Sequence, residues 1–199
     1  MKIYLTDINN ISSDEISCWY KDIDNAKKYR IDNIKDIANK NIRIVSDHLA
    51  RYAVSKHLNI NPKEIVFCYG KHSKPLLPSG DAYFNISHSG SYIVCCVDDS
   101  PCGIDIEFIK QRNINTAKRF CTDNELQYIN NSENKNIALL EIWTKKEAYF
   151  KSFGCGIATC LTALDTLKTD GFNTIINDKY VLSIYSENVN NNYETINHP

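Results

Sequence analysis

Glycine, proline and methionine are scarce in this chain of 199 residues, at seven, five and one, while asparagine, isoleucine and lysine abound. That bias reads as coding preference and excludes no function. Excess charge of one sign is also missing: the net charge is −1 and the pI near 6.5. A general nucleic-acid binder would show a basic surplus, so that class is excluded, although a local basic pocket is not. No apolar run approaches the roughly 20 residues of a membrane span. The opening Met1–Asp7 is too short and polar for a signal peptide. The eight cysteines show no CxxC or Cys/His zinc spacing, and several lie in apolar runs (Cys95, Cys96, Cys160). Reduced, buried thiols in a cytoplasmic protein are therefore expected, with Cys95 and Cys96 facing opposite sides of one strand.

What is present suffices for a core: 43% of residues are hydrophobic and 24% charged, enough for one domain or two small ones. Residues 2–8 alternate as a first strand. Residues 12–37 have helical spacing, with Ser13 as N-cap, and carry Lys27, Lys28 and Arg30. Ile42, Val45, Leu49, Tyr52, Ala53 and Leu58 predict an amphipathic helix over 42–58, stopped by Asn61-Pro62. A strand over 64–69 and a turn-rich loop over 70–80 follow, the loop holding Lys71, His72 and Lys74. Helices are expected over 113–121 and 122–130, the second opened by the capping box Thr122-Asp123-Asn124-Glu125. Strands and turns fill 161–185, and the Asn-rich last dozen residues read as a poorly ordered tail.

Two stretches carry the chemistry. The first runs from Asn85-Ile86-Ser87-His88-Ser89-Gly90, read as a turn, through a buried strand over 92–97 to Gly103-Ile104-Asp105-Ile106-Glu107. Alternation along a strand puts Asp105 and Glu107 on one face and Ile104, Ile106 and Phe108 on the other. Two like charges side by side destabilise each other unless a cation lies between them, and a divalent metal would serve. The alternative is the wet side of an edge strand. His88 with Ser87 and Ser89 offers an imidazole and hydroxyls suited to an anion such as phosphate, or an ordinary hydrogen-bonded turn.

The second stretch is a helix over 137–153, ended by Gly154-Cys155-Gly156. Leu139, Leu140, Trp143 and Phe150 form its apolar stripe, Glu147 falls inside that stripe, and Lys145 and Tyr149 fall opposite. A carboxylate there requires a partner: either Lys151 at i, i+4 or a metal ion. Joined with Asp105 and Glu107, Glu147 would complete an oxygen-ligand site of the kind magnesium prefers.

The ordered set Asn85–Gly90, Gly103–Glu107 and Trp143-Thr144-Lys145-Lys146-Glu147-Ala148 with Lys151 and Gly154-Cys155-Gly156-Ile157 resembles the 4′-phosphopantetheinyl transferases of the surfactin-synthetase-activating type. The resemblance implies an α+β, pseudo-duplicated two-lobed fold, each lobe a small sheet packed with helices. The lobes would be residues 1–101 and 102–199, with the active site in the cleft between them. No internal repeat is visible in the sequence itself. The implied reaction moves the 4′-phosphopantetheine of coenzyme A to a serine hydroxyl of an apo acyl or peptidyl carrier protein and releases 3′,5′-ADP. Asp105, Glu107 and Glu147 match the family's Mg2+ ligands, Glu147 its proposed base and Lys151 the lysine that assists the leaving group. His88 and Ser87 match phosphate-contacting positions, and Lys28, Arg43, Lys71 and Lys74 are candidates for the nucleotide end. Ser46 stands where the family's N-terminal motif has glycine, and the Gly-Lys-Pro signature is split between Gly70-Lys71 and Lys74-Pro75, leaving both lysines open. A monomer in the cytoplasm, with no nucleic-acid or membrane partner, is the implied state. A metal-dependent phosphohydrolase and a non-catalytic coenzyme A or carrier-binding protein are the competing readings.

Overall fold

A computed structural model describes residues 1–70, 74–154, 161–187 and 194–197, the last four as backbone only. The chain is α+β. Strand β1 (Lys2–Asp7) precedes helices α1 (Ser13–Asp22), α2 (Asn25–Asp32) and α3 (Ile37–Leu58), then the short strands β2 (Cys68–Tyr69) and β3 (Pro75–Leu76). Strands β4 (Tyr83–Ser89), β5 (Tyr92–Asp98) and β6 (Cys102–Phe108) follow, then α4 (Asp123–Asn131), α5 (Lys135–Ser152), β7 (Phe172–Ile176), β8 (Tyr180–Ser186) and β9 (Glu194–Asn197).

The strands form three sheets, ordered β4-β5-β1-β9, β2-β3 and β6-β8-β7. All pairings are antiparallel except β1 with β9. Alternation decides which core each strand residue enters. Tyr4, Ile93, Cys95 and Val97 meet Val45, Leu49, Ala53 and Val54 of α3. Ile3, Leu5, Val94 and Cys96 point the other way and meet Ile104, Ile106, Leu182 and Ile184. The adjacent cysteines thus enter opposite cores as expected. A third cluster joins Phe120, Ile129, Leu139 and Ile142 around α4 and α5. Cys95, Cys96, Cys102 and Cys121 are free and buried, and Cys18 and Cys68 free and exposed; Cys160 lies outside the described residues.

Several expectations are corrected. Residues 12–37 hold two helices, because Ile23 is extended and Asp24 opens a second N-cap. The first N-cap is Ser12, one residue before the expected Ser13; its hydroxyl accepts from Glu15 N while Glu15 returns the bond. The strand expected over 64–69 shrinks to two residues after a 3-10 turn at Pro62–Glu64. Residues 114–119 are 3-10 rather than α, whereas the capping box of Thr122 and Glu125 forms as read. The stretch taken as a turn at 85–90 is the strand β4, and the chain reverses only at Gly90, with φ +60°. Of the tail expected to be poorly ordered, Glu194–Asn197 pairs in parallel with Lys2–Leu5 and covers the edge of β1, and the rest lies outside the described residues.

Candidate active site

Two elements bring the acidic residues together. In β6, Ile104 and Ile106 are 0% and 1% exposed and anchor the strand in the central core, so Asp105 and Glu107 face away from it. Helix α5 runs against that second face. Its approach depends on Gly103: a Cβ there would lie 1.9 Å from the Ala148 carbonyl oxygen and 2.7 Å from the Ser152 nitrogen. Trp143, Glu147 and Lys151, each four residues apart, present one stripe of α5 to the cleft. The cleft measures about 580 Å³, and its walls include Lys27, Arg30 and Arg43 on one side and Asp105, Glu107, Glu147 and Lys151 on the other.

Lys151 is the cation at the centre. Its Nζ donates to Asp105 Oδ1 at 2.6 Å and to Ser87 Oγ at 3.0 Å, and the Ser87 hydroxyl donates to the same Asp105 oxygen at 2.7 Å. Lys151 therefore pairs across elements with Asp105, not along the helix with Glu147. Glu107 is held by Arg112 Nη2 at 2.7 Å, Ser89 Oγ at 3.0 Å and Trp143 Nε1 at 3.2 Å. Glu147 is 5% exposed, and burial, then the Asp105 charge, push its carboxyl up to about 7 against the opposing pull of Lys151. Burial also raises Asp105, with Lys151 and Ser87 opposing. His88 moves the other way: burial, then Arg43 and Lys151, lower its imidazole below the usual histidine value.

Among the described residues no group of three His, Cys, Asp or Glu is close enough, as arranged here, to enclose a metal ion. Lys151 supplies the counter-charge of Asp105, and Glu107 is turned to Arg112 and Trp143. The donor set nevertheless fits a hard divalent cation. Its ligands would be oxygens, and Asp105 Oδ2 is buried with no hydrogen-bond partner among the described residues.

Of the basic residues expected at the nucleotide end, Arg43 alone among the described residues lines the cleft. Lys28 lies off it, donating to the Lys21 carbonyl at 2.9 Å and stacking over Tyr20. Lys74 donates to the Lys151 carbonyl at 2.5 Å, so it grips the last turn of α5 from across the molecule. Lys71 lies outside the described residues. His88 lines the cleft as expected. Ser87 also lines it, but its one proton is committed to Asp105 while Lys151 and Ile106 N use its lone pairs, so it holds a carboxylate rather than a phosphate.

Sequence reasoning missed Lys27, Arg30 and Tyr69. Lys27 Nζ lies 2.5 Å from Asp47, which also takes Arg51 Nε at 2.7 Å, and Arg30 stacks over the Tyr69 ring at 4.9 Å. The cluster Lys27-Lys28-Arg30 was the signal, and helical register decides which members face the cleft. Lys146 was also missed. It is 0% exposed and bound to Glu125 at 2.8 Å, the Leu161 carbonyl at 2.7 Å and the Leu164 carbonyl.

Comparison with known proteins shows which family the sequence matches. The family model described as "4′-phosphopantetheinyl transferase superfamily" matches residues 101–193, and that described as "4′-phosphopantetheinyl transferase, N-terminal" matches residues 10–99. A 4′-phosphopantetheinyl transferase of Bacillus subtilis is 36% identical over 136 residues, covering 66% of this chain and 61% of the relative. The 4′-phosphopantetheinyl transferase Sfp of Bacillus subtilis (strain 168) is 32% identical over 132 residues, covering 64% and 59%. The transferase HetI of Nostoc sp. is 28% identical over 171 residues, covering 73% and 71%. The matched part thus spans about three-fifths of the two Bacillus relatives. The two family models meet at residues 99–101 and between them run over nearly the whole sequence: the chain belongs to the 4′-phosphopantetheinyl transferase superfamily, among its Sfp-like members.

Proposed function

We propose that this protein transfers the 4′-phosphopantetheine group of coenzyme A to a serine hydroxyl of an apo acyl or peptidyl carrier protein, with Mg2+, releasing 3′,5′-ADP. The observation that carries the reading is the convergence of Asp105, Glu107, Glu147 and Lys151, from β6 and α5, on one cleft whose opposite wall is basic. The serine oxygen forms the new P–O bond to the phosphorus of the pantetheine-bearing phosphate, and the P–O bond to the nucleotide breaks with its electron pair leaving on 3′,5′-ADP. Glu147, buried in the cleft wall and bonded to none of the described residues, would receive the serine proton. Lys151 offers an ammonium to charge developing on the leaving phosphate, and Lys74 holds the backbone turn from which Lys151 projects. Arg43, Arg30 and Lys27 would meet the nucleotide's phosphates, and His88, whose imidazole burial shifts toward the neutral form, is a hydrogen-bonding group in the wall. Asp105, Glu107 and Glu147 would hold the metal, which when bound neutralises the pyrophosphate and favours its cleavage.

The two-lobed reading belongs to the same proposal, with lobes 1–101 and 102–199 and the site between them. It is supported by the meeting of the two family models at 99–101 and by the cleft's drawing its walls from both halves. A cytoplasmic monomer completes it. Buried free thiols support the location, and no helix among the described residues is long and apolar enough to cross a membrane.

Intact-protein mass spectrometry of an apo carrier incubated with this protein, coenzyme A and Mg2+ tests the proposal. A gain of one phosphopantetheine, abolished by EDTA, is expected. Coenzyme A cleaved with no carrier labelled would replace it with a phosphohydrolase; coenzyme A bound but intact would replace it with a binding protein.

A further inference from the structure

Strands β4 and β6 are edge strands of different sheets and share no backbone ladder. An edge leaves a row of amides unpaired, which is destabilising where the edge is buried. Here the side chains of β4 take those amides. Asn85 Oδ1 accepts from Ile104 N at 3.2 Å, Ser87 Oγ from Ile106 N at 3.4 Å and Ser89 Oγ from Phe108 N at 3.0 Å. The spacing is period two on both strands, so three successive outward amides of β6 are met by three successive same-face side chains of β4. Each serine has a second task. Ser87 donates to Asp105 Oδ1 at 2.7 Å and Ser89 to Glu107 Oε2 at 3.0 Å. In both cases the hydroxyl spans a carboxylate and the amide that follows it.

We infer that Asn85, Ser87 and Ser89 form a register clamp: β4 reads the backbone of β6 and, through the two hydroxyls, sets the orientation of the acidic side chains on it. Ser89 and Asn85 are thereby positioning residues for the reaction proposed above, on which the catalytic part of this inference rests. A slip of β6 by one residue would turn Asp105 and Glu107 toward the apolar core, and the clamp opposes it because the hydroxyls of Ser87 and Ser89 would then face isoleucine and phenylalanine side chains and lose their carboxylate acceptors. Ser89 is the informative position. It touches neither Lys151 nor the central core, and its partner Glu107 keeps Arg112 and Trp143 when it is removed.

Amide hydrogen exchange on 15N-labelled protein, beside the carrier-transfer assay, tests it. In Ser89→Ala the Phe108 amide should lose at least about tenfold of its protection while Ile104 and Ile106 stay within about twofold; Asn85→Ala should expose Ile104 alone. Turnover of Ser89→Ala should fall about tenfold with KM for coenzyme A nearly unchanged, and Ser89→Thr should recover most of it. Unchanged protection of Phe108 in Ser89→Ala would overturn the clamp. Altered protection with turnover equal to wild type would overturn its positioning role. Wild-type protein that labels no carrier, yet shows the expected exchange pattern, would leave the clamp standing and remove the transferase reading instead.

Discussion

Replacing Gly103 by alanine should disable the site without touching any reacting group. The added Cβ would sit 1.9 Å from the Ala148 oxygen, 2.7 Å from the Ser152 nitrogen and 3.0 Å from the Ala148 carbon. All three are backbone atoms of α5, so no side-chain rotation relieves the clash. Ordinary contact begins near 3.4 Å, so the helix must retreat by about 1.5 Å. The clash points, Ala148 and Ser152, directly follow Glu147 and Lys151 in sequence, so both move with the helix. The 2.6 Å bond from Lys151 to Asp105 would open to about 4 Å, beyond hydrogen-bond range. A misplacement of about 1 Å in a catalytic group costs about 10²-fold in rate, so kcat for carrier labelling should drop by at least that factor. Overpacking of this kind costs about 1–3 kcal/mol, so the variant should remain folded with a melting temperature several degrees lower. Steady-state labelling and thermal unfolding measured on the same preparation check both. A variant with kcat within about twofold of wild type would refute the idea that close contact between β6 and α5 sets the site.

Other outcomes follow from the same structure. Lys146→Met should lower stability by about 3–5 kcal/mol in urea titrations, because Glu125, also 0% exposed, loses its cation inside the protein; a loss below about 1 kcal/mol would remove Lys146 as a structural hub. Asp105→Asn should abolish carrier labelling while the protein still unfolds cooperatively, and full activity would rule out its role in the reaction. Because burial lowers the His88 pKa in the fold, the unfolded chain binds the proton more readily; stability should therefore decline as pH falls from about 6.5 through the folded-state value. His88→Gln should flatten that part of a melting-temperature profile, and an unchanged slope would assign the acid sensitivity elsewhere. Iodoacetamide at pH 8 on native protein should reach Cys18 and Cys68 and spare Cys121, whose thiol burial and the Glu125 charge push up to about 12; rapid loss of the Cys121 thiol would contradict its placement.

Local physics made much of this legible in the residues. Period two placed Ile104 and Ile106 in the core and Asp105 and Glu107 on the opposite face, and period 3.6 singled out Glu147 as a carboxylate among apolar neighbours. The Thr122–Glu125 box and the stripe of α3 depend only on neighbours a few positions apart, so they formed as read. The ordered motifs of the two informative stretches also carried the family.

Tertiary structure decided what depends on partners distant in the chain. Whether Lys27 or Lys28 faces the cleft turns on how α2 lies against α3, and Lys27 was selected by Asp47. The stretch Asn85–Ser89 looked like a turn because its polar residues seek partners; the ladder with β5 made it a strand, and the unpaired edge of β6 supplied those partners. Lys151 could have paired with Glu147 one turn away, but the nearness of β6 gave it Asp105. Lys146 carries a charge that reads as surface, and only the convergence of α4 and α5 with the 161–166 segment buries it with Glu125 and two carbonyls. Periodicity reports which face a residue occupies, whereas the occupant opposite that face is set by chain closure over tens of residues, which no local pattern encodes.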